Sequence, residues 1–245
     1  MKREIDINCD VGEGIGNEAE LLPLISSCNI ACGGHAGNLN SMRNVVQLAM
    51  QHGVKVGAHP SYPDSANFGR LSIKIEYSAL QQSIKEQVGA LQTILEKERI
   101  ALHHIKAHGA LYNDIAKDEN LARIFLNAIQ KYKNTSFLYV PYGSVIETLA
   151  KKNGFTVLLE AFADRNYNLD LSLVSRKKSN ALLEVPEEVL AHLVRMVKDL
   201  KVTTSEGLVK ILADTYCIHG DTPAALQILT YLSITLAQHQ IYIKK

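Results

Sequence analysis

Six places along this chain set an acid, a histidine or a cation at the end of a short apolar run. The first is IDINCDVGEG, where strand alternation puts Asn8 and Asp10 on one side and Cys9 on the other. Glu13 follows among glycines, and paired carboxylates at a strand end suit general acid/base chemistry or metal binding. The second, CNIACGGHAG, joins Gly33, Gly34 and His35 to a helix start near Asn38–Ser41. Glycines let a backbone approach a ligand, and helix N-terminal amides attract anions, so a carboxylate or phosphate would fit there. The third, AHPSYPD, offers His59 and Asp64 in a loop stiffened by two prolines. In the fourth, HHIKAHGALYN, His104, Lys106 and His108 alternate onto one face of a strand. A lysine aimed into a protein interior needs a charge or a ligand to meet it. Asp164 and Arg165 follow a fifth run, and the arginine could bind a carboxylate or phosphate bidentately or pair with a nearby acid. The sixth, IHGDTP, sets His219 and Asp221 ahead of Thr222-Pro223, so that Asp221 could orient a histidine or cap the next helix.

Each cluster alone is adequately explained as a solvated turn, a cap or a core histidine. Six at the same relative position make a composite site the better reading. Metal motifs within single segments are weak. The C-x3-C-x2-H spacing of Cys28, Cys32 and His35 has no second ligand pair. His104 and His108 on one strand would lie roughly 13 Å apart, too far to chelate one ion. No metal ligand is therefore assigned. Gly12, Gly14 and Gly16 lack the G-x-G-x-x-G spacing, and no G-x-x-x-x-G-K-[ST] segment occurs, so a nucleotide would be bound by other means.

Positioning these residues requires a regular scaffold. Apolar runs at Glu4–Asn8, Cys28–Cys32, Val54–Ala58, Leu102–Lys106, Phe137–Val140, Thr156–Ala161 and Tyr216–Ile218 read as strands. Helical periods separate them: Leu80, Ile84, Val88, Leu91 and Leu95 share one face, and Val189, Leu193 and Val197 another. Pro186 with Glu187 and Glu188 opens the second of these, and Thr222-Pro223 opens a last helix carrying Leu226, Leu229, Leu232 and Leu236. Repeated strand-helix units imply a parallel sheet. Because reactive residues recur at strand ends, the expected fold is a closed seven-stranded (β/α) barrel with its site at the C-terminal rim. An open doubly wound sheet would instead concentrate the site at a switch point. Residues 166–185 lack helical period and could be a lid or an insertion packed elsewhere.

The 245 residues contain no linker or charge block, so one barrel domain over 1–245 is expected. Hydrophobic residues at 47% and charged ones at 21% exclude wholesale disorder. A net charge of +1 gives no global attraction to nucleic acid or an anionic membrane. No secretory signal or membrane span is expected, and the four cysteines are expected as reduced thiols in a cytoplasmic protein.

The blocks IDINCDVGEG, SSCNIACGGHAG, GAHPSYPD, FGR, KAHGALYN, FADRNY and IHGDTP run in collinear order, and the chain resembles the LamB/YcsF family, the A subunits of 5-oxoprolinases. That resemblance implies a barrel related to the polysaccharide-deacetylase (glycoside hydrolase/deacetylase) superfamily. It also implies ATP-dependent opening of 5-oxo-L-proline to L-glutamate, with Mg2+ accompanying the nucleotide, in a complex with subunits B and C. The chain departs from the family pattern at Gly34, at Asn38-Leu39 and through Asn168–Leu183. Under the implied reaction, Asp10 or Glu13 serves as base and His59, His108 or His219 as proton donor. Lys106 and Arg165 stabilise anionic charge, the Gly33–His35 backbone holds the substrate carboxylate, and Asn8 and Asp221 complete the binding set. A homo-oligomer is compatible with this reading. Two alternatives stand beside it: a metal-dependent amidase or deacetylase using Asp10 and histidines without ATP, and a noncatalytic substrate-binding subunit of a larger complex.

Overall fold

The computed structural model describes residues 2–245. Strand β1 (Arg3–Val11) is followed by a short helix α1 (Glu18–Leu21), β2 (Ser27–Ala31), α2 (Leu39–His52) and β3 (Lys55–His59). The long α3 (Tyr77–Glu98) leads to β4 (His104–Ile105), α4 (Gly109–Ile115), α5 (Glu119–Ala128) and β5 (Phe137–Pro141). Next come α6 (Val145–Lys152), β6 (Val157–Phe162), α7 (Pro186–Asp199), the pair β7 (Lys201–Thr204) and β8 (Gly207–Lys210), β9 (Thr215–Cys217), α8 (Ala225–Thr235) and β10 (Ile241–Ile243). Strands β1 to β6 pair in parallel in chain order, β9 joins β6, and β9 closes onto β1 through Asp6↔Thr215 and Asn8↔Cys217. This is the expected seven-stranded barrel.

Local signals fix the helices. Asn38 caps α2 through a reciprocal box with Ser41, and Gly53 ends it in the left-handed conformation. Asp118 and Ser144 cap α5 and α6, and Pro186 occupies the first turn of α7. The last helix begins later than Thr222-Pro223 suggests, at Ala225 after the uncapped Ala224. The Thr222 hydroxyl is engaged elsewhere, donating to Asp164.

Three short strands carry no legible sequence signal. β7 and β8 form an antiparallel pair outside the barrel, and β10 lies on the first residues of β1. Each has three or four residues, too few to establish an alternating pattern.

The strands are apolar outward. Ile5, Ile7 and Cys9 of β1, Ile30 of β2 and Ala58 of β3 are buried in the continuous core with Val46 of α2 and Leu80, Ile84 and Leu91 of α3. Inward they are polar. Asp6, Asn8 and Asp10, Ser27 and Asn29, His59, His104 and Lys106, Tyr139, Glu160 and Thr215 are linked across the lumen or stand in register with residues that are. Asp6 accepts from Ser27 (2.7 Å) and Thr215 (2.8 Å), and Asn8 donates to Thr215 (2.8 Å). Asn29 donates to Asn8 (2.7 Å) and Asp10 (2.8 Å), and its amide oxygen accepts from His104 Nε2 at 2.6 Å. His104 also stacks on Tyr139 with ring centroids 3.9 Å apart. Room for that ring exists because residue 57 is glycine: a Cβ there would overlap the His104 imidazole.

The lumen can be probed by packing and by pH. Gly57→Ala should lower the unfolding free energy in urea titration by roughly 1–3 kcal/mol, since the ring must leave Asn29 or the strands must part; unchanged stability would refute the assigned packing. The second probe concerns histidine titration. Burial, the first cause in each case, holds His104 well below its ordinary pKa and lowers His192 to about 4. A depressed histidine favours the folded state fully above its unfolded pKa of about 6.5, and that contribution fades as pH falls toward the folded value. The urea midpoint should therefore drop between about pH 6.5 and 4, with a shallower slope in His192→Gln; equal slopes would contradict it.

Candidate active site

The C-terminal ends of the strands open into a cavity of about 500 Å3. Asp10, Glu13, His59, Lys106, His108, Arg165, His219 and Asp221 all contribute to its wall, so six strand-end segments reduce to one site drawn from five of them. At its floor the Lys106 ammonium is 2% exposed. It lies 3.0 Å from Asp10 Oδ1, 2.8 Å from Glu160 Oε1, 3.2 Å from Asn8 Oδ1 and 3.1 Å from Cys217 Sγ. Burial alone would lower its pKa, but Asp10, Cys217 and Glu160 outweigh burial and hold it well above the ordinary lysine value. Burial likewise pushes the Asp10 carboxyl upward, and His59 and Lys106 outweigh it, so Asp10 is held well below the usual carboxylate range. The ammonium and the carboxylate are both charged.

Above this floor stand three imidazoles. His59 Nδ1 lies 2.9 Å from the Lys106 carbonyl and its Nε2 lies 2.9 Å from His108 Nδ1. His108 Nε2 reaches the Phe68 carbonyl at 3.0 Å. His35 stacks flat on His108, centroids 3.6 Å apart, and its Nε2 meets Glu13 Oε1 at 2.9 Å. Burial, offset only in part by neighbouring acids, lowers the pKa of His35 and His108. Candidate metal-ligating atoms of Asp10, Glu13, His59 and His108 all lie within 4.8 Å of one another, as do those of Asp10, Cys217 and His219.

Across the cavity, His219 Nδ1 lies 3.0 Å from the Asp164 carboxylate, which also accepts from the His219 backbone N–H (2.9 Å) and the Thr222 hydroxyl (3.1 Å). Asp164 is fully buried, and although burial raises its pKa, His219 and Arg165 bring it below the ordinary value. The carboxylate therefore fixes the Nδ1–H tautomer, and Nε2 is left for acid/base work. Asp221 neither orients that histidine nor caps α8. It pairs with Arg70 and, at 3.3 Å, with Arg176.

Several expectations need correction. Asn8 is fully buried beneath the cavity, bonded to Thr215, Asn29 and Lys106, and does not reach its wall. Gly33 and Gly34 do not form part of the wall either. The Gly33 N–H is spent on the Ala36 carbonyl (2.7 Å), and a Cβ at Gly34 would collide with Gln87 and Ser61, so Gly34 serves close packing against α3. The Asn38 side chain already accepts from the first amides of α2. Arg165 lies at the wall, but its guanidinium donates to the Ala181 (3.1 Å) and Val174 (2.6 Å) carbonyls and so anchors the segment 166–185. That segment is packed down: Tyr167, Val174 and Ala181 are buried, and residues 173–177 form one cavity wall. Cys32 donates to the Ile30 carbonyl, and burial pushes its thiol up to about 12, so it is a packed core thiol.

Sequence reasoning missed Glu160, Asp164 in its orienting role, Tyr112 and Arg176. Glu160 sits inside the run 156–161, where an inward glutamate opposite an inward lysine was the available signal. Tyr112 and Glu160 also line an adjoining cavity of about 220 Å3.

The LamB/YcsF family model matches residues 5–245. A Shouchella clausii protein named as the A subunit of 5-oxoprolinase is 42% identical over 246 residues, covering 98% of this chain and 97% of its own length. One of the same name from Bordetella parapertussis is 40% identical over 250 residues, covering 100% and 99%. The crystal structure of a lactam utilization protein from Thermus thermophilus superposes with a TM-score of 0.89 at 35% identity, over 98% of this chain and 99% of that one. Among the described residues no helix is long and apolar enough to cross a membrane.

The buried ion cluster yields its own prediction. Lys106→Met leaves Asp10 and Glu160 uncompensated and should cost about 3–5 kcal/mol in urea unfolding. Adding Glu160→Gln should restore part of that loss, because one orphaned charge is removed; strictly additive losses would show that the two groups are not coupled.

Proposed function

The chain belongs to the LamB/YcsF family, and from that membership and the geometry of its cavity we propose that it is the A subunit of an ATP-dependent 5-oxoprolinase. Its substrate would be 5-oxo-L-proline and its product L-glutamate. The observation that carries this reading is the pairing of a tautomer-fixed His219–Asp164 dyad with a charged Asp10 and a buried Lys106 around one cavity.

A lactam carbonyl is a weak electrophile, and its ring nitrogen is a poor leaving group until protonated. ATP, with Mg2+, supplies the activation by phosphorylating the carbonyl oxygen, and subunits B and C complete the assembly in which this happens. The tasks left to this chain are ordinary proton chemistry. A carboxylate, Glu13 or Asp10, takes a proton from water as its oxygen bonds to the carbonyl carbon. His219 Nε2 delivers a proton to the ring nitrogen as the C–N bond breaks, and Asp164 stabilises the imidazolium before that transfer. Loss of the nitrogen leaves an acyl phosphate; a second water hydrolyses it, phosphate leaves, and the former carbonyl carbon becomes the side-chain carboxylate of glutamate. Lys106 keeps Asp10 ionised and turned into the cavity. With Arg165 occupied by loop carbonyls, the cations at the wall facing anionic groups are Lys177 and the Arg70–Arg176 pair that shares Asp221. They suit the substrate carboxylate or a phosphoryl group.

The test is 5-oxoproline-dependent release of ADP and glutamate by this chain mixed with subunits B and C. His219→Ala, whose ring is partly exposed, should fold normally and lower kcat by on the order of 10²-fold or more. Wild-type turnover in that variant would remove the chemistry from this cavity and leave a substrate-binding role.

A further inference from the structure

We infer that Asp10, Glu13, His59 and His108 form a binding site for one divalent transition-metal ion of the zinc type. The inference goes beyond the proposed hydrolysis and does not depend on it.

Proton bookkeeping carries the argument. A carbonyl oxygen can only accept, so His59 Nδ1, 2.9 Å from the Lys106 carbonyl, must carry hydrogen. By the same reasoning, His108 Nε2, 3.0 Å from the Phe68 carbonyl, carries hydrogen. A neutral imidazole has one N–H. Both remaining nitrogens, His59 Nε2 and His108 Nδ1, are then bare, yet they face each other at 2.9 Å. Two lone pairs at that distance repel unless something positive lies between or beside them. Both rings are buried, His59 1% and His108 6% exposed, so bulk water cannot relieve the conflict.

Two carboxylates complete the set. Asp10 Oδ2 is 3.5 Å from His59 Nε2, and Glu13 Oε1 is 3.4 Å from His108 Nδ1. Asp10 Oδ1 is already committed to Asn29 and Lys106, so Oδ2 is the oxygen left to ligate. Two atoms about 2.0–2.2 Å from one ion lie roughly 2.8–3.6 Å apart for angles from square to tetrahedral. The observed spacings match that range closely. Each imidazole's other N–H is fixed by a carbonyl, the usual outer-sphere arrangement for ligating histidines.

Charge points the same way. Asp10 and Glu160 share the buried ammonium of Lys106, and Glu13 is buried beside His35 and His108 with no lysine or arginine among the described residues paired to it. A dication offsets the excess, and two imidazoles with two carboxylates favour zinc or its first-row neighbours over calcium or magnesium. A proton shared between His59 and His108 is the competing account. It supplies one positive charge to a site that faces two carboxylates, Asp10 and Glu13.

The experiment uses the full chain, stripped with chelator and titrated with Co2+ as a visible-absorbing probe and then with Zn2+. About one equivalent should bind, with a ligand-field band that Zn2+ displaces. His108→Gln should weaken uptake at least tenfold. In the wild type, histidine 15N spectra should show His59 Nε2 and His108 Nδ1 shifting on Zn2+ addition, a readout that needs no variant to fold. No uptake, uptake unaffected by His108→Gln, or 15N shifts confined to other histidines would each overturn the site.

Discussion

An ammonium ion held inside a barrel, out of reach of water, is the constraint on which the rest of this structure turns. Lys106 is more deeply buried than lysines ordinarily are, and an isolated charge there would be prohibitively costly. Asp10 and Glu160 offset it, and Asn8 and Cys217 complete its surroundings. Those partners come from β1, β6 and β9, three consecutive staves that meet where the barrel closes. The ion cluster thus ties the closure seam to β4 on the opposite side of the lumen. Burying charges contributes little net stability; removing one partner is what costs. The cluster therefore selects one arrangement of strand ends more than it strengthens the fold.

Below the ammonium, the polar lumen extends this selection down to Asp6. Asn29 is the hub: its amide nitrogen bridges Asn8 and Asp10 while its oxygen receives His104. A one-residue slip of any stave would exchange this polar set for the apolar outer one, so register is strongly determined. Above the ammonium, a separate set of ties closes the rim. Asp221 joins Arg70, after β3, to Arg176, in the segment following β6. Arg165 grips that segment from below through two carbonyls. The cavity wall is thereby assembled from loops that share no secondary structure.

Much of this was legible in the sequence because barrel geometry converts linear position into spatial position. A residue at a strand's C-terminal end must lie at the rim, so His59, Lys106, His108 and His219 could be placed without knowing their neighbours. Alternation also placed His104, Lys106 and His108 inward, and it ruled out His104 with His108 as a chelating pair. What alternation cannot give is which inward residues touch. His108 meets His59, not His104, because the partner lies on the adjacent stave. Asp164 holds His219 across 55 residues of chain, whereas Asp221, two residues away, does not. The glycines misled for a related reason. Small residues allow a ligand to approach, but equally a neighbouring side chain: Gln87 takes that space at Gly34 and His104 takes it at Gly57.

Asp10 sits where the two halves of this design meet, and its two oxygens face different tasks. Oδ1 is bound from below by Asn29 and Lys106, whereas Oδ2 faces His59 and the cavity. One rigid carboxylate therefore connects the lumen network to whatever positive group occupies the space above it. A ligand that engages Oδ2 draws on an acceptor already oriented and ionised, so little ordering remains to be done on binding. The coupling must also run in reverse, since a group that binds only the folded chain stabilises it: about 2.7 kcal/mol at a hundredfold excess over Kd. Occupancy of the rim and integrity of the barrel are then two readings of one equilibrium, with the Asp10 carboxylate as the element common to both.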